Sequence, residues 1–169
     1  MSHLHNPFRY DYVGSFLRPE NLKQARRAFD EGKIDYAKLK EVEEQAITDL
    51  ITKVKSLGYH VITDGEFRRA TWHLDFMWGL DGVGHVKTKT GLPFHGEAAM
   101  IDDTYLVGKI GLSKEHPFVE HFRFVKQFED ENTVAKQTIP APAQVLAQFT
   151  MPFNREATEQ FYESDDKLI

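Results

Sequence analysis

Two short stretches carry side chains that could do chemistry. In the first, Val13-Gly14-Ser15, a hydroxyl follows a glycine a few residues ahead of Pro19, a residue suited to the first position of a helix. Backbone N–H groups at a turn leading into a helix, with a serine hydroxyl beside them, make a ready cradle for an anion such as a carboxylate. The second, Asp64-Gly65-Glu66-Phe67-Arg68-Arg69, turns polar abruptly after the apolar run Tyr59 to Thr63. A carboxylate presented at the end of a buried strand can pair with a cationic ligand, and that pair is satisfied only when the ligand is present. The same residues have plainer roles open to them. Glu66 could complement a helix dipole or pair with Arg68 or Arg69, and Ser15 could be an ordinary helix cap.

The eight histidines and the absence of cysteine bound the metal chemistry. Disulfides and thiolate zinc ligands are excluded within this stretch, and a metal held here would need His, Asp or Glu. His60 reads as a hydrogen-bonded core histidine. His73, His85 and His95 fall at irregular spacing on loops, and His116 and His121, five apart, do not share a helical face. None is expected to bind a metal. Trp72, Phe76, Met77 and Trp78 read as a packed aromatic cap, with a lid over a substrate as the alternative. Asp102-Asp103 reads as a turn, and Glu97 carries no assignable role.

The 169 residues include 21 Lys+Arg and 26 Asp+Glu, a formal balance of −5, and no basic cluster exceeds the pairs Arg26-Arg27 and Arg68-Arg69. A phosphate backbone has no electrostatic footprint to meet, so no nucleic-acid partner is expected. With 41% hydrophobic and 28% charged residues the chain can build a core as one domain over 1–169. No apolar run approaches the roughly 20 residues of a membrane span and no leader pattern opens the sequence, which sets the expectation of a cytoplasmic protein without a membrane partner.

The elements that must position Ser15 and Glu66 follow from periodicity. A strand is predicted over Tyr10 to Ser15 and a helix from Pro19 to Gly32. A long helix from Asp35 to Leu57 is predicted by the stripe Leu39, Val42, Ala46, Ile47, Leu50, Ile51, Val54 and Leu57. Gly58 is its left-handed terminator, and Tyr59 to Thr63 is a strand buried on both faces. Thr71 to Trp78 is predicted as a short helix or lid, Asp81 to Gly84 as a turn, and His85 to Leu112 as a hairpin excursion. Then come a helix over His116 to Phe128, a third strand over Val134 to Ile139 ended by Pro140-Ala141-Pro142, and a helix over Ala143 to Phe149. The final helix, from Asn154, has no capping glycine before Ile169, which gives the expectation of a truncated chain. Strands alternating with helices predict an α/β fold with a parallel sheet, doubly wound or part of a barrel.

Three segments in order, Val13-Gly14-Ser15-Phe16-Leu17-Arg18-Pro19, Leu57 through Arg69 with its Asp64-Gly65-Glu66, and Ile139-Pro140-Ala141-Pro142, resemble the cobalamin-independent methionine synthase family, and most closely its shorter, single-barrel members. The resemblance runs from about Pro7 onward. It implies a (β/α)8 barrel, of which this chain supplies about the first three βα units and a hairpin insertion, since a whole barrel takes about 250 residues. The implied activity is transfer of a methyl group from a methyl-tetrahydrofolate-type donor to the thiol of homocysteine, which zinc converts to a thiolate. The zinc ligands of the family, a His-x-Cys pair, a Glu and a second Cys, are then expected downstream of Ile169, with no catalytic residue in this chain. By the same resemblance Val13, Gly14 and Ser15 hold the substrate carboxylate and Glu66 its ammonium group. The departure is at the donor: where longer members place a Trp against the pterin, this sequence has Gln148-Phe149. A non-catalytic fragment that binds a small amino acid, and a zinc methyltransferase with another donor or thiol, are the alternatives. Such a partial barrel is expected to self-associate.

Overall fold

The computed structural model describes residues 11–86 and 102–168, together with the backbone at 92–94 and 97–99. Tyr10, the stretch from Thr88 to Gly91, His95 and the Glu97 side chain lie outside the described residues. The helices are α1 (Glu20–Asp30), α2 (Tyr36–Ser56), α3 (Leu74–Met77), α4 (Pro117–Lys126), α5 (Pro142–Thr150) and α6 (Pro152–Glu159). The strands are β1 (Val61–Ile62), β2 (Asp81–Val86), β3 (Leu92–Phe94), β4 (Glu97–Ala99), β5 (Asp103–Gly111) and β6 (Val134–Ala135). They pair two by two, β1 with β6 in parallel, and β2 with β5 and β3 with β4 antiparallel. The chain forms two compact units. One takes residues up to Arg69 with Glu120–Thr138, the other Ala70–Val119 with residues from Ile139 on.

In the first unit α2 organises the core. Asp35 caps it, its carboxylate accepting the Lys38 N–H at 2.8 Å, and Gly58 leaves it at φ +82°. The predicted stripe buries Ala46, Ile47, Ile51 and Val54 against Leu22 of α1, Ile62 of β1, Phe67 and Val125; Leu39 is buried as well, while Leu57 ends up exposed. The β1–β6 pair is the parallel crossover that the sequence predicts, held by Val134 N–H to His60 O at 2.8 Å and Lys136 N–H to Ile62 O at 2.9 Å. The predicted strand over Tyr10 to Ser15 does not form among the described residues. From residue 11 to Pro19 the chain is irregular and bends at Gly14, and side chains hold it instead: Tyr12 Oη donates to Val61 O at 2.8 Å, and Lys136 Nζ donates to Tyr12 O and Asp11 Oδ1.

In the second unit Leu74, Met77, Leu106 and Phe149 form a separate core. Thr71 and Asp75 start α3 reciprocally, the Thr71 hydroxyl accepting from Leu74 N–H while the Asp75 carboxylate accepts from Thr71 N–H. The turn predicted at Asp81 to Gly84 is strand. Gly82, at φ +78°, sits where the β2–β5 register shifts, and a Cβ there would come within 2.2 Å of Lys109 O, so the glycine marks a bulge with close backbone approach. The result is a mixed α/β fold with one parallel pair among the described strands. No helix among the described residues is long and apolar enough to cross a membrane.

Candidate functional site

The turn after β1 is built by its own polar groups. Thr63 Oγ1 accepts from Gly65 N–H at 3.1 Å, and Asp64 Oδ1 accepts from Glu66 N–H at 2.9 Å. Two successive left-handed residues result, Gly65 at φ +63° and Glu66 at φ +58°. A side chain at Gly65 would be strained at that φ, and its Cβ would also displace the end of the Leu50 side chain. Glu66 is the one described non-glycine residue with positive φ, and an L-residue held there stores strain of about 1–3 kcal/mol, a feature that concentrates at functional sites.

That backbone aims a nearly buried carboxylate. Glu66 Oε1 lies 3.3 Å from Thr138 Oγ1, which donates to it, and 3.6 Å from Arg69 Nη1. Oε2 makes no hydrogen bond among the described residues. Of the two arginines weighed from sequence, Arg69 is the partner. It is itself buried and anchored by donating from Nη2 to Thr138 O at 2.9 Å. One carboxylate oxygen is thus tied to Thr138 and Arg69, and the other makes no hydrogen bond among the described residues.

Val13, Gly14 and Ser15 are brought to the same turn. Phe16 N–H donates to Gly65 O at 3.1 Å, and Arg18 Nη2 reaches across to donate to Glu66 O at 2.8 Å and Arg69 O at 2.6 Å. Gly14 takes φ +95°, Val13 and Ser15 are exposed, and none of the three N–H groups is engaged by a described residue. The Ser15 hydroxyl donates to Phe16 O at 3.1 Å. Ser15 is not a helix cap: α1 begins at Glu20 with Pro19 in the cap position. Sequence reasoning missed the roles of Arg18 and Thr138, and weighed Arg69 only as an ion-pair partner of Glu66. Arg18 and Arg69 stand within the motifs, but nothing in their spacing says that they grip this turn, and Thr138 enters through the β1–β6 crossover.

The other candidates resolve into structure. His60 is hydrogen-bonded as predicted, Nδ1 to Asn132 O at 2.8 Å, but it is exposed and not in the core. Phe118 N–H donates to His116 Nδ1, which places the His116 proton on Nε2, facing Phe76 O at 2.9 Å. Burial lowers the pKa of His73. His85 pairs with Asp102 at 2.7 Å and stacks on Trp78 at 3.9 Å. Met77 is core and Phe76 packs on His116 and Phe118, whereas Trp72 is exposed. Phe149 is fully buried, so it offers no stacking surface to a ligand, and Gln148 beside it donates to Asp103. Among the described residues no group of three or more His, Cys, Asp or Glu could hold a metal ion.

Two solved structures similar to the chain carry the name of one enzyme class, the B12-independent methionine synthases. One, from Listeria monocytogenes and provisionally assigned to that class, is 40% identical with TM-score 0.66, over 82% of this chain and 38% of that chain. Another, from Shewanella sp. W3-18-1 and solved in complex with selenomethionine, has TM-score 0.52 at 19% identity over 69% of this chain and 33% of its own, a likeness of fold alone. Two uncharacterized proteins of Bacillus subtilis (strain 168) are also similar over 163 residues, YxjH at 34% and YxjG at 39% identity. These matches cover 96% of this chain and 41% of each relative, so the chain spans about two fifths of their length. No family model matches.

Proposed function

We propose that this chain forms the amino-acid-binding wall of a methyltransferase of the cobalamin-independent methionine synthase type, a (β/α)8 barrel to which it contributes the first βα units. The reaction is methyl transfer from a methyl-tetrahydrofolate-type donor to the thiol of homocysteine. The observation that carries this reading is Glu66: a strained backbone holds its carboxylate at the end of β1 with one oxygen tied and the other open, one residue from the bond that docks the Gly14-Ser15 turn. An α-amino acid presents an ammonium and a carboxylate a few ångströms apart. Glu66 Oε2 would take the first, and the N–H groups of Val13 to Ser15 with the Ser15 hydroxyl the second. Arg18 and Arg69 keep the two halves in register, and catalysis by these residues is positioning.

Zinc activation of the thiol belongs to the same proposal for the whole protein. The described residues, without cysteine and without a three-ligand cluster, do not fit that metal, and this chain's part is to bind and orient. In the full polypeptide that carries this sequence, Glu66→Gln should raise KM for homocysteine by about tenfold or more, the effect of losing a charge-assisted bond, with a smaller change in kcat. An unchanged KM overturns the assignment. The buried Phe149 favours a second reading of the donor, in which the methyl group comes from a molecule that does not stack at that position. Comparing methyl transfer from methyl-tetrahydrofolate with other methyl donors separates the two.

A further inference from the structure

A second set of polar groups lies in the first unit, around a cavity of about 430 Å³ lined by α2, by α4 and by Arg68. Arg68 has only 5% of its side chain exposed, yet it makes no hydrogen bond among the described residues. Its carboxylate neighbours are too far for one: Nε is 3.8 Å from Glu43 Oε2, and Nη2 is 3.8 Å from Glu44 Oε1. Nη1 is buried with no hydrogen-bond partner among the described residues, and the guanidinium lies over the Phe124 ring at 4.8 Å. A buried guanidinium held only by two long ion pairs, with one nitrogen lacking any acceptor, is costly unless something else accepts from it.

The neighbouring charges leave the cavity positive. Glu44 and Glu120 also line it, but both pair with Lys40. Glu43 is committed to Arg26, which donates to it at 3.1 Å, and burial raises its pKa. Arg123 lines the same cavity and has no ion pair among the described residues, and the Tyr36 hydroxyl and Gln127 amide there are likewise unengaged. The His121 imidazole is held well below its ordinary value, at about 4, by burial first and then by the charge of Arg68.

We propose that this cavity binds a small oxyanion, a phosphoryl or carboxylate group, with Arg68 at its floor and Arg123 at its rim. The volume suits a small ligand, and paired guanidinium forks match the geometry of such groups. The inference stands apart from the amino-acid site, although Arg68 belongs to the same turn as Glu66.

The test is an NMR titration of the His121 ring with inorganic phosphate, and separately with succinate, at ionic strength held constant with sodium chloride. A saturable shift with either anion is expected, phosphate preference naming a phosphoryl ligand and succinate preference a carboxylate. Arg123→Ala, an exposed substitution, should weaken it about tenfold. Arg68→Lys should weaken it at least as much, and if that variant fails to fold, Arg123→Ala carries the test alone. A shift that never saturates, that chloride alone reproduces, or that Arg123→Ala leaves unchanged overturns the proposal.

Discussion

Glu66 shows how a residue can be chosen for its side chain at the expense of its backbone. A left-handed L-residue costs roughly 1–2 kcal/mol, and the surroundings here enforce it: the Asp64 carboxylate accepts its N–H, and Arg18 grips its carbonyl. Replacing Glu66 by Gly or by Ala removes the same carboxylate, but only glycine relieves the φ of +58°. Glu66→Gly should therefore be more stable than Glu66→Ala by about 1 kcal/mol in denaturant unfolding, with both losing amino-acid binding. Equal stabilities would mean that the turn does not hold the residue left-handed. The position of Glu66 at a polar turn after an apolar run was legible. Its conformation was not, because glutamate has no sequence signature for positive φ, and the groups that impose it come from Arg18, Asp64 and the far side of a crossover.

At the scale of elements, legibility followed the length of the pattern. The stripe along α2 repeats over 21 residues, and Asp35 and Gly58 punctuate it, so both ends were readable. Asp35→Ala should cost about 1 kcal/mol through the lost bond to Lys38 N–H, measurable as a lowered denaturation midpoint at unchanged m-value. Short segments were harder. Tyr10 to Ser15 has strand composition, but among the described residues no strand pairs with its backbone: Tyr12 spends its hydroxyl on Val61 O of β1, and Lys136 takes the Tyr12 carbonyl. Gly82 and Gly84 suggested a turn because a bulge and a turn demand the same residue. α4 carries a pH-dependent term. The pKa of His121 falls from 6.5 to about 4 on folding, so the neutral ring is favoured in the folded state. That stabilisation is complete above pH 6.5 and is lost as the pH drops toward 4. His121→Gln should flatten this limb of a stability-versus-pH curve, and an unchanged slope between those values would place the dependence elsewhere.

For the molecule as a whole, the parallel pairing of β1 with a strand near residue 134 was readable from alternating patterns, but the division into two units was not, because neither is continuous in sequence. Each has its own core. Ile47→Ala in the first should cost about 2–5 kcal/mol and Phe149→Ala in the second about 3–5 kcal/mol. Amide hydrogen exchange should show each truncation lowering protection in the unit that holds it.

The pairing of β1 with β6 also sets a clock on synthesis. Val134 is 73 residues downstream of Val61, and at about 5–20 residues per second a ribosome needs roughly 4–15 s to supply it. Through that interval the nascent chain carries β1 with no strand at its side. Thr138, which holds both Glu66 and Arg69, emerges later still. The Glu66 turn is therefore encoded early but assembled late, and a pause or an arrest between codons 70 and 138 would leave a helical N-terminal piece whose Glu66 carboxylate has not yet met its anchors.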